Sequence, residues 1–335
     1  MFDAYVGTTS GGFRLRDDAL EALGLEAERV SAIHAWREGD AVVVLAGSYG
    51  NGLFRSADGG RTWSTVDAGL TESTFRFIAP GPGHAGTLLA GTEPARIFRS
   101  EDGGLTWREL DGITRIDGHE RWFLPYSPRS GAVRNVYAPP GRGSRLFAAV
   151  EVAGLLRTDD GGRSWVCESV DGDEDLHYIT GHPHDPDLLY AAMGTASLTP
   201  DAPDDPPRHH GGIARSRDGG GTWQRIEADY TRATIIPPAR PDLLLAGPAR
   251  RVGRGGRIVA STDAGDTWQP AGTGVDMPMP DMVDLFVAAP DDSVWAICSQ
   301  GRLLRASPEN WSWSSALPSD ADVSVESIAF TTRSG

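Results

Sequence analysis

Seven polar side chains hold one matched position in seven apolar segments spread along the chain: Ser31, Arg76, Arg134, His177, Arg232, Asp284 and Glu326. A charged group inside an apolar run is costly unless it is hydrated, paired or liganded. Three arginines offer planar forks to a carboxylate, phosphate or sulfate, and Glu151, Asp284 and Glu326 offer acid–base chemistry. Tyr49, Glu93 and Glu151 end neighbouring apolar runs and fall beside the seven. The pattern predicts capture of a small anionic or sugar-like ligand. Arg76, Arg134, Arg232, His177, Tyr49 and Glu93 are its binding candidates, and Glu151, Asp284 and Glu326 its catalytic candidates. Trp122 adds an aromatic face that can stack on a sugar ring. In the plain alternative these groups line a water-filled channel, and the arginines only pair with the acids.

Other chemistries find less support. His177 with Glu151 can hold a divalent metal only if a loop histidine, such as His119 or His209-His210, folds over them, so no cofactor is expected. His182-Pro-His-Asp-Pro reads as a turn with solvated side chains. No Gly-x-Ser-x-Gly elbow occurs, neither cysteine has a matched histidine, and the Gly-Gly pairs belong to turns rather than to phosphate loops.

The elements that must position these groups are set by a repeated turn. Ser56-Ala-Asp-Gly-Gly-Arg-Thr-Trp63 recurs as Ser100 to Trp107, Thr158 to Trp165, Ser216 to Trp223 and Ser261 to Trp268, with a worn copy ending at Trp313. The tryptophans stand 44, 58, 58, 45 and 45 residues apart. Forty to fifty residues suits one four-stranded propeller blade. Phe75 to Ala79, Thr87 to Gly91, Arg96 to Ser100 and Thr106 to Leu110 read as strands A to D of one such blade, separated by Pro- and Gly-rich turns. Val323 to Phe330 reads as an A strand with nothing after it, while Ala4 to Thr8 and Gly12 to Leu15 read as B and C strands with nothing before them. The predicted fold is therefore all-β, a seven-bladed β-propeller spanning 1–335 as one domain. Its closing blade is shared between about 1–24 and 320–335, and it leaves no open sheet edge.

In the repeated turn, the Asp accepts backbone N–H groups, the glycines supply conformations closed to other residues, and the Trp packs between blades. The carboxylates lack the alternating spacing of a calcium loop. The two long intervals place insertions at 111–130, in a D–A loop with Trp122, Tyr126 and Arg129, and at 196–210, in a B–C loop with Asp201, Asp204 and Asp205. Both should rise from the face opposite the repeated turns, where the matched polar positions also lie. Long loops on one face of a repeat protein usually mark its binding side.

The Ser-x-Asp-x-Gly-x-Thr-Trp pattern resembles the Asp-box, or bacterial neuraminidase repeat, of sialidases, xyloglucan-cleaving glycosidases, sortilin-type receptors and a photosystem II assembly factor. The likeness covers nearly the whole chain. It is nearest to single-propeller bacterial proteins of sialidase-like or glycosyl hydrolase-like style, as in Glu151 to Arg157 and His182 to Tyr190. A sialidase likeness implies three arginines on a substrate carboxylate, here Arg76, Arg134 and Arg232. It also implies a tyrosine activated by a glutamate, here Tyr49 or Tyr178 with Glu93 or Glu151. The Phe-Arg-Ile-Pro motif of sialidases is missing, since Phe13-Arg-Leu-Arg16 falls in blade register, and sialidase propellers have six blades. Xyloglucan-cleaving relatives carry two propellers with a cleft between them. A glycosidase or lyase and a non-catalytic protein-binding or assembly scaffold thus stand as alternatives to simple ligand binding.

Composition narrows the partners. Lys+Arg 31 against Asp+Glu 46 gives a net charge of −15, which repels phosphate backbones and anionic headgroups, so neither nucleic acid nor membrane is an expected partner. The N-terminus has no basic stretch followed by a long apolar run, and Cys167 and Cys298 fall at non-equivalent positions. These features lead to the expectation of a cytoplasmic monomer with free thiols.

Overall fold

The computed structural model describes residues 1–124, 131–194, 211–307 and 309–333. They form seven sheets of antiparallel strands arranged as a β-propeller, with two short 3-10 turns, Ile113–Arg115 and His119–Arg121, as the only helical elements among the described residues. The second blade shows how closely strand follows pattern: Phe75–Pro80, Leu88–Thr92, Ile97–Ser100 and Arg108–Glu109 stand where the apolar runs predict strands A to D. The B strands are nearly all buried, the innermost A strands alternate buried residues with half-buried ones along the channel, and the outer D strands are short and mostly exposed, as expected where each blade covers its neighbour.

The seventh blade is assembled from both chain ends. Val325–Thr332 pairs with Phe2–Thr8, which pairs in turn with Gly11–Arg16 and Ala19–Ala22. Asp3, 4 % exposed, accepts hydrogen bonds from the guanidinium groups of Arg16 on the same blade and of Arg333 beyond the last strand, the latter at 2.6 Å. Burial alone would push the Asp3 carboxyl up, but the two arginines outweigh it and hold it below its ordinary value.

The repeated turn is self-contained. Asp58 Oδ1 accepts the Arg61 and Thr62 amides at 3.0 and 2.9 Å, Oδ2 accepts the Thr62 hydroxyl at 2.7 Å, and the Ser56 hydroxyl donates to Oδ1 at 2.7 Å while accepting the Gly60 amide. The same Asp–hydroxyl and glycine-amide bonds recur at Asp102, Asp160, Asp218 and Asp263. Hydrogen bonds from the Thr62 hydroxyl and amide hold the Asp58 carboxyl down to about 2. The tryptophans face the preceding blade: the indole of Trp63 donates to the Leu23 carbonyl at 2.8 Å, Trp268 to Ile226 at 3.2 Å, and Trp313 to Ala271 at 2.7 Å. The worn sixth copy has therefore kept its anchor, with Trp313 1 % exposed.

The first insertion starts after the D strand of the second blade, where residues 111–124 carry the two 3-10 turns. The second falls between Asp185–Met193 and Gly212–Ser216. Tyr126, Arg129, Asp201, Asp204, Asp205, His209 and His210 lie outside the described residues.

Candidate functional site

One backbone device aims the site. In every blade the pairing of strand A with strand B slips by a β-bulge at the matched position: at Ser31, Arg76, Arg134, His177, within Arg232-Ala233, at Asp284, and at Glu326 in the closing blade. A bulge leaves one residue unpaired and turns its side chain out of the regular alternation. The strands converge on the axis, so seven turned side chains converge on the channel. Small B-strand residues allow the inner strand of the next blade to come close. A Cβ at Gly47 would stand 2.5 Å from that of Phe75, and one at Gly91 would stand 2.5 Å from a Val133 methyl carbon. Phe75 and Val133 immediately precede the bulged arginines.

All seven bulged residues line one cavity of about 380 Å³, together with Tyr49, Glu151, Tyr178 and Arg29. Ser299, Gly301 and Ser324 complete its rim, so it opens among the B–C and D–A connections, opposite the repeated turns. Below it, and sharing Arg76, Arg134 and Glu326 with it, a chamber of about 580 Å³ runs toward the other face, walled largely by Ile33, Phe77, Ile235, Val287 and Phe330. The polar ring is thus a collar on a mostly apolar channel.

Charge in the collar comes as cation–carboxylate pairs. Arg29 embraces Glu326, with Nε 2.8 and 2.9 Å from its two oxygens, and Arg232 Nη1 stands 3.1 Å from Asp284 Oδ1. Arg134 Nη1 is 3.5 Å from Glu151 Oε2, and Arg76 Nη1 is 3.9 Å from the fully buried Glu93. The Tyr49 hydroxyl donates to Glu93 at 3.1 Å, and its ring lies under the guanidinium groups of Arg29 and Arg76. Burial and the Glu93 charge raise the Tyr49 pKa. Of the two tyrosines considered, Tyr49 therefore has the carboxylate partner.

A second layer stands behind His177, which is 3 % exposed. Its Nε2 lies 3.0 Å from the Gly194 carbonyl and 3.0 Å from the Tyr230 hydroxyl, which in turn accepts Arg232 Nε at 2.8 Å. Burial lowers the His177 pKa to about 3, so the ring is neutral at neutral pH. Asp175, between Glu151 and His177, takes the Val152 amide at 3.2 Å, and burial together with the Glu151 charge raises it to about 7.

Nine of the ten candidate residues are therefore in or directly behind the collar, with Glu93 reached through Tyr49 and Arg76. Trp122 is the exception. It is half-buried against the core around Leu110 and Ile113 and meets the His119 ring edge-on at 6.2 Å, because the 3-10 turns fold it back onto the blades. It lines neither cavity. Arg29, Asp175 and Tyr230 escaped the sequence reading. Each sits two residues before a bulged position, and the alternation Asp173-x-Asp175-x-His177 is the signal that was available for the second. Cys298 lines the cavity, but burial pushes its thiol up to about 12, which leaves no thiolate for chemistry.

Fold and site together define a seven-bladed β-propeller with a paired-charge collar at one mouth of its channel. No family model matches the chain, and no curated protein matches it in sequence. Solved structures match throughout. A GH74 xyloglucanase from Xanthomonas campestris is 19 % identical over 98 % of this chain and 52 % of its own, with a TM-score of 0.68. A GH74 enzyme from Niastella koreensis is 15 % identical over 98 % of this chain and 52 % of its own, at 0.66. YCF48 bound to the D1 peptide is 19 % identical over 90 % of this chain and 89 % of its own, at 0.60. The chain spans about half the length of the GH74 structures, and at these identities the likeness is one of fold.

Proposed function

We propose that the collar binds a small hydroxyl-rich, carbohydrate-like ligand, with Arg76, Arg134 and Arg232 as the principal donors and Glu151, Asp284 and Glu326 as acceptors. The observation that carries this reading is the convergence of seven bulged side chains on one cavity, five of them, Arg76, Arg134, Arg232, Asp284 and Glu326, in guanidinium–carboxylate pairs. A lone sulfate or phosphate would have to displace a carboxylate from its arginine. A sugar hydroxyl instead donates to the carboxylate and accepts from the guanidinium at once, leaving the pairs in place. An acidic sugar adds one carboxylate to that pattern. Taken with the turn pattern, the site fits an Asp-box propeller. Saturation-transfer NMR against neutral, uronic and sialic sugars tests the reading: transfer to a sugar that vanishes in Arg134→Ala supports it, and no transfer from any of them sinks it.

Two further readings have their own support. A hydrolytic step is favoured by the Tyr49–Glu93 hydrogen bond and by the closeness of Glu151 to Asp175. Release of a chromogenic leaving group from aryl glycosides, lost in Glu151→Gln, would establish it. Peptide binding is favoured by YCF48 and by a Sqt1 bound to the N-terminus of ribosomal protein L10, both matched over most of their length. For that reading, the apolar chamber below the collar would receive side chains of the peptide.

A further inference from the structure

We propose that Glu151, Asp175 and His177 form a binding site for a divalent transition metal in the wall of the cavity. One donor atom from each lies within 4.8 Å of the other two, and all three residues are buried. Two buried carboxylates and a buried imidazole are a donor set that divalent metals take, and Arg134 beside Glu151 offsets only part of its charge. The histidine tautomer is already set. A carbonyl oxygen can only accept, so the contact from His177 Nε2 to the Gly194 carbonyl at 3.0 Å places the ring proton on Nε2. The Nδ1 lone pair is then available, and Nδ1 is buried with no hydrogen-bond partner among the described residues; Nε2, 4.0 Å from Asp175 Oδ1, is the ring nitrogen nearer that carboxylate, so ligation through Nδ1 requires the ring to tilt. Metal-ligating histidines characteristically donate their other ring N–H to a backbone carbonyl or carboxylate, which fixes the tautomer.

The carboxylates fit the same role. Asp175 meets one backbone amide, which leaves it oxygen lone pairs for a cation, and Glu151 reaches the site from the end of its B strand. Arg134, 3.5 Å from Glu151 Oε2, takes the place of an outer-sphere partner that orients the ligating carboxylate. Metal–ligand bonds of about 2.0–2.2 Å put tetrahedral donors roughly 3.4 Å apart, so the cluster closes by about an ångström on binding. One nitrogen and two oxygen donors favour zinc, manganese or cobalt over calcium, which takes six to eight oxygens. Glu151 and His177 both line the cavity, so an open coordination position faces whatever enters it.

The inference is independent of the sugar reading, because it is tested without a sugar. Chelator-stripped full-length protein is titrated with Co²⁺ and then Zn²⁺, followed by visible absorption and calorimetry. One equivalent should bind, with the intense visible bands of a low-coordinate cobalt site. Asp175→Asn and His177→Gln should each weaken binding by about a hundredfold or more. Both replacements are close in size to the originals, and thermal unfolding shows whether each variant is folded. Less than one equivalent bound, or one equivalent bound equally well by folded His177→Gln, would overturn the proposal.

Discussion

The molecule carries two rings of repeats, and they differ in what they conserve. Around the outer ring the repeated turn keeps its side chains: Ser or Thr, then Asp, Gly and Trp, closing the same hydrogen bonds upon themselves in five blades. Around the inner ring the backbone repeats and the side chains do not. The same bulge recurs in seven blades but presents Ser, Arg, Arg, His, Arg, Asp and Glu. Where geometry and residue type repeat together, the repeat serves construction. Where geometry repeats and residue type varies, a common device is adapted position by position, as a site requires.

Substitutions can break this contrast at either ring. The largest expected effect is Trp313→Ala in the outer ring, which empties a fully buried indole site and should cost about 3–5 kcal/mol in denaturant unfolding. Asp3→Ala at the blade closure removes hydrogen bonds from two guanidinium groups and should cost about 1.5–3 kcal/mol by the same measurement. Ser56→Ala opens one turn of five and should cost about 1 kcal/mol. Arg134→Lys should change stability least, by under about 1 kcal/mol, because a cation still stands beside the buried Glu151 while the planar fork is lost.

Acid sharpens the contrast without mutation. Asp58, Asp218 and Asp263 are held down to about 2, below the 3.8 of the free side chain. Their contribution to stability is complete above the free value and is lost as pH falls through the folded one. Thermal midpoints should therefore drop between about pH 4 and pH 2. The drop should shrink in a variant with Asp58, Asp218 and Asp263 all changed to Asn.

The contrast also explains what could be read from sequence. The turn was legible because residue identity carries it: Asp, Gly-Gly and Trp spell out the register, and strands such as Phe75–Pro80 followed to within a residue or two. The seven inner positions were legible as polar interruptions of apolar runs. The bulges themselves were not, since an extra residue in a strand leaves no mark in hydrophobic alternation. Arg29 and Asp175 were missed because they sit in the connections just before those strands, where polar residues are the norm. Trp122 was misplaced because an aromatic residue in an insertion looks the same in sequence whether it faces a ligand or folds back onto the core, and here it folds back.

The collar as a ligand site is tested most directly by calorimetric titration of one sugar into the natural protein, Arg134→Lys and Ser56→Ala, with unfolding midpoints measured on the same samples. Arg134→Lys should lose about tenfold or more in affinity with its midpoint nearly unchanged, whereas Ser56→Ala should lose midpoint and keep its affinity. If the sugar binds equally well to all three, or if Arg134→Lys loses stability instead of affinity, the inner ring is structural and the account fails.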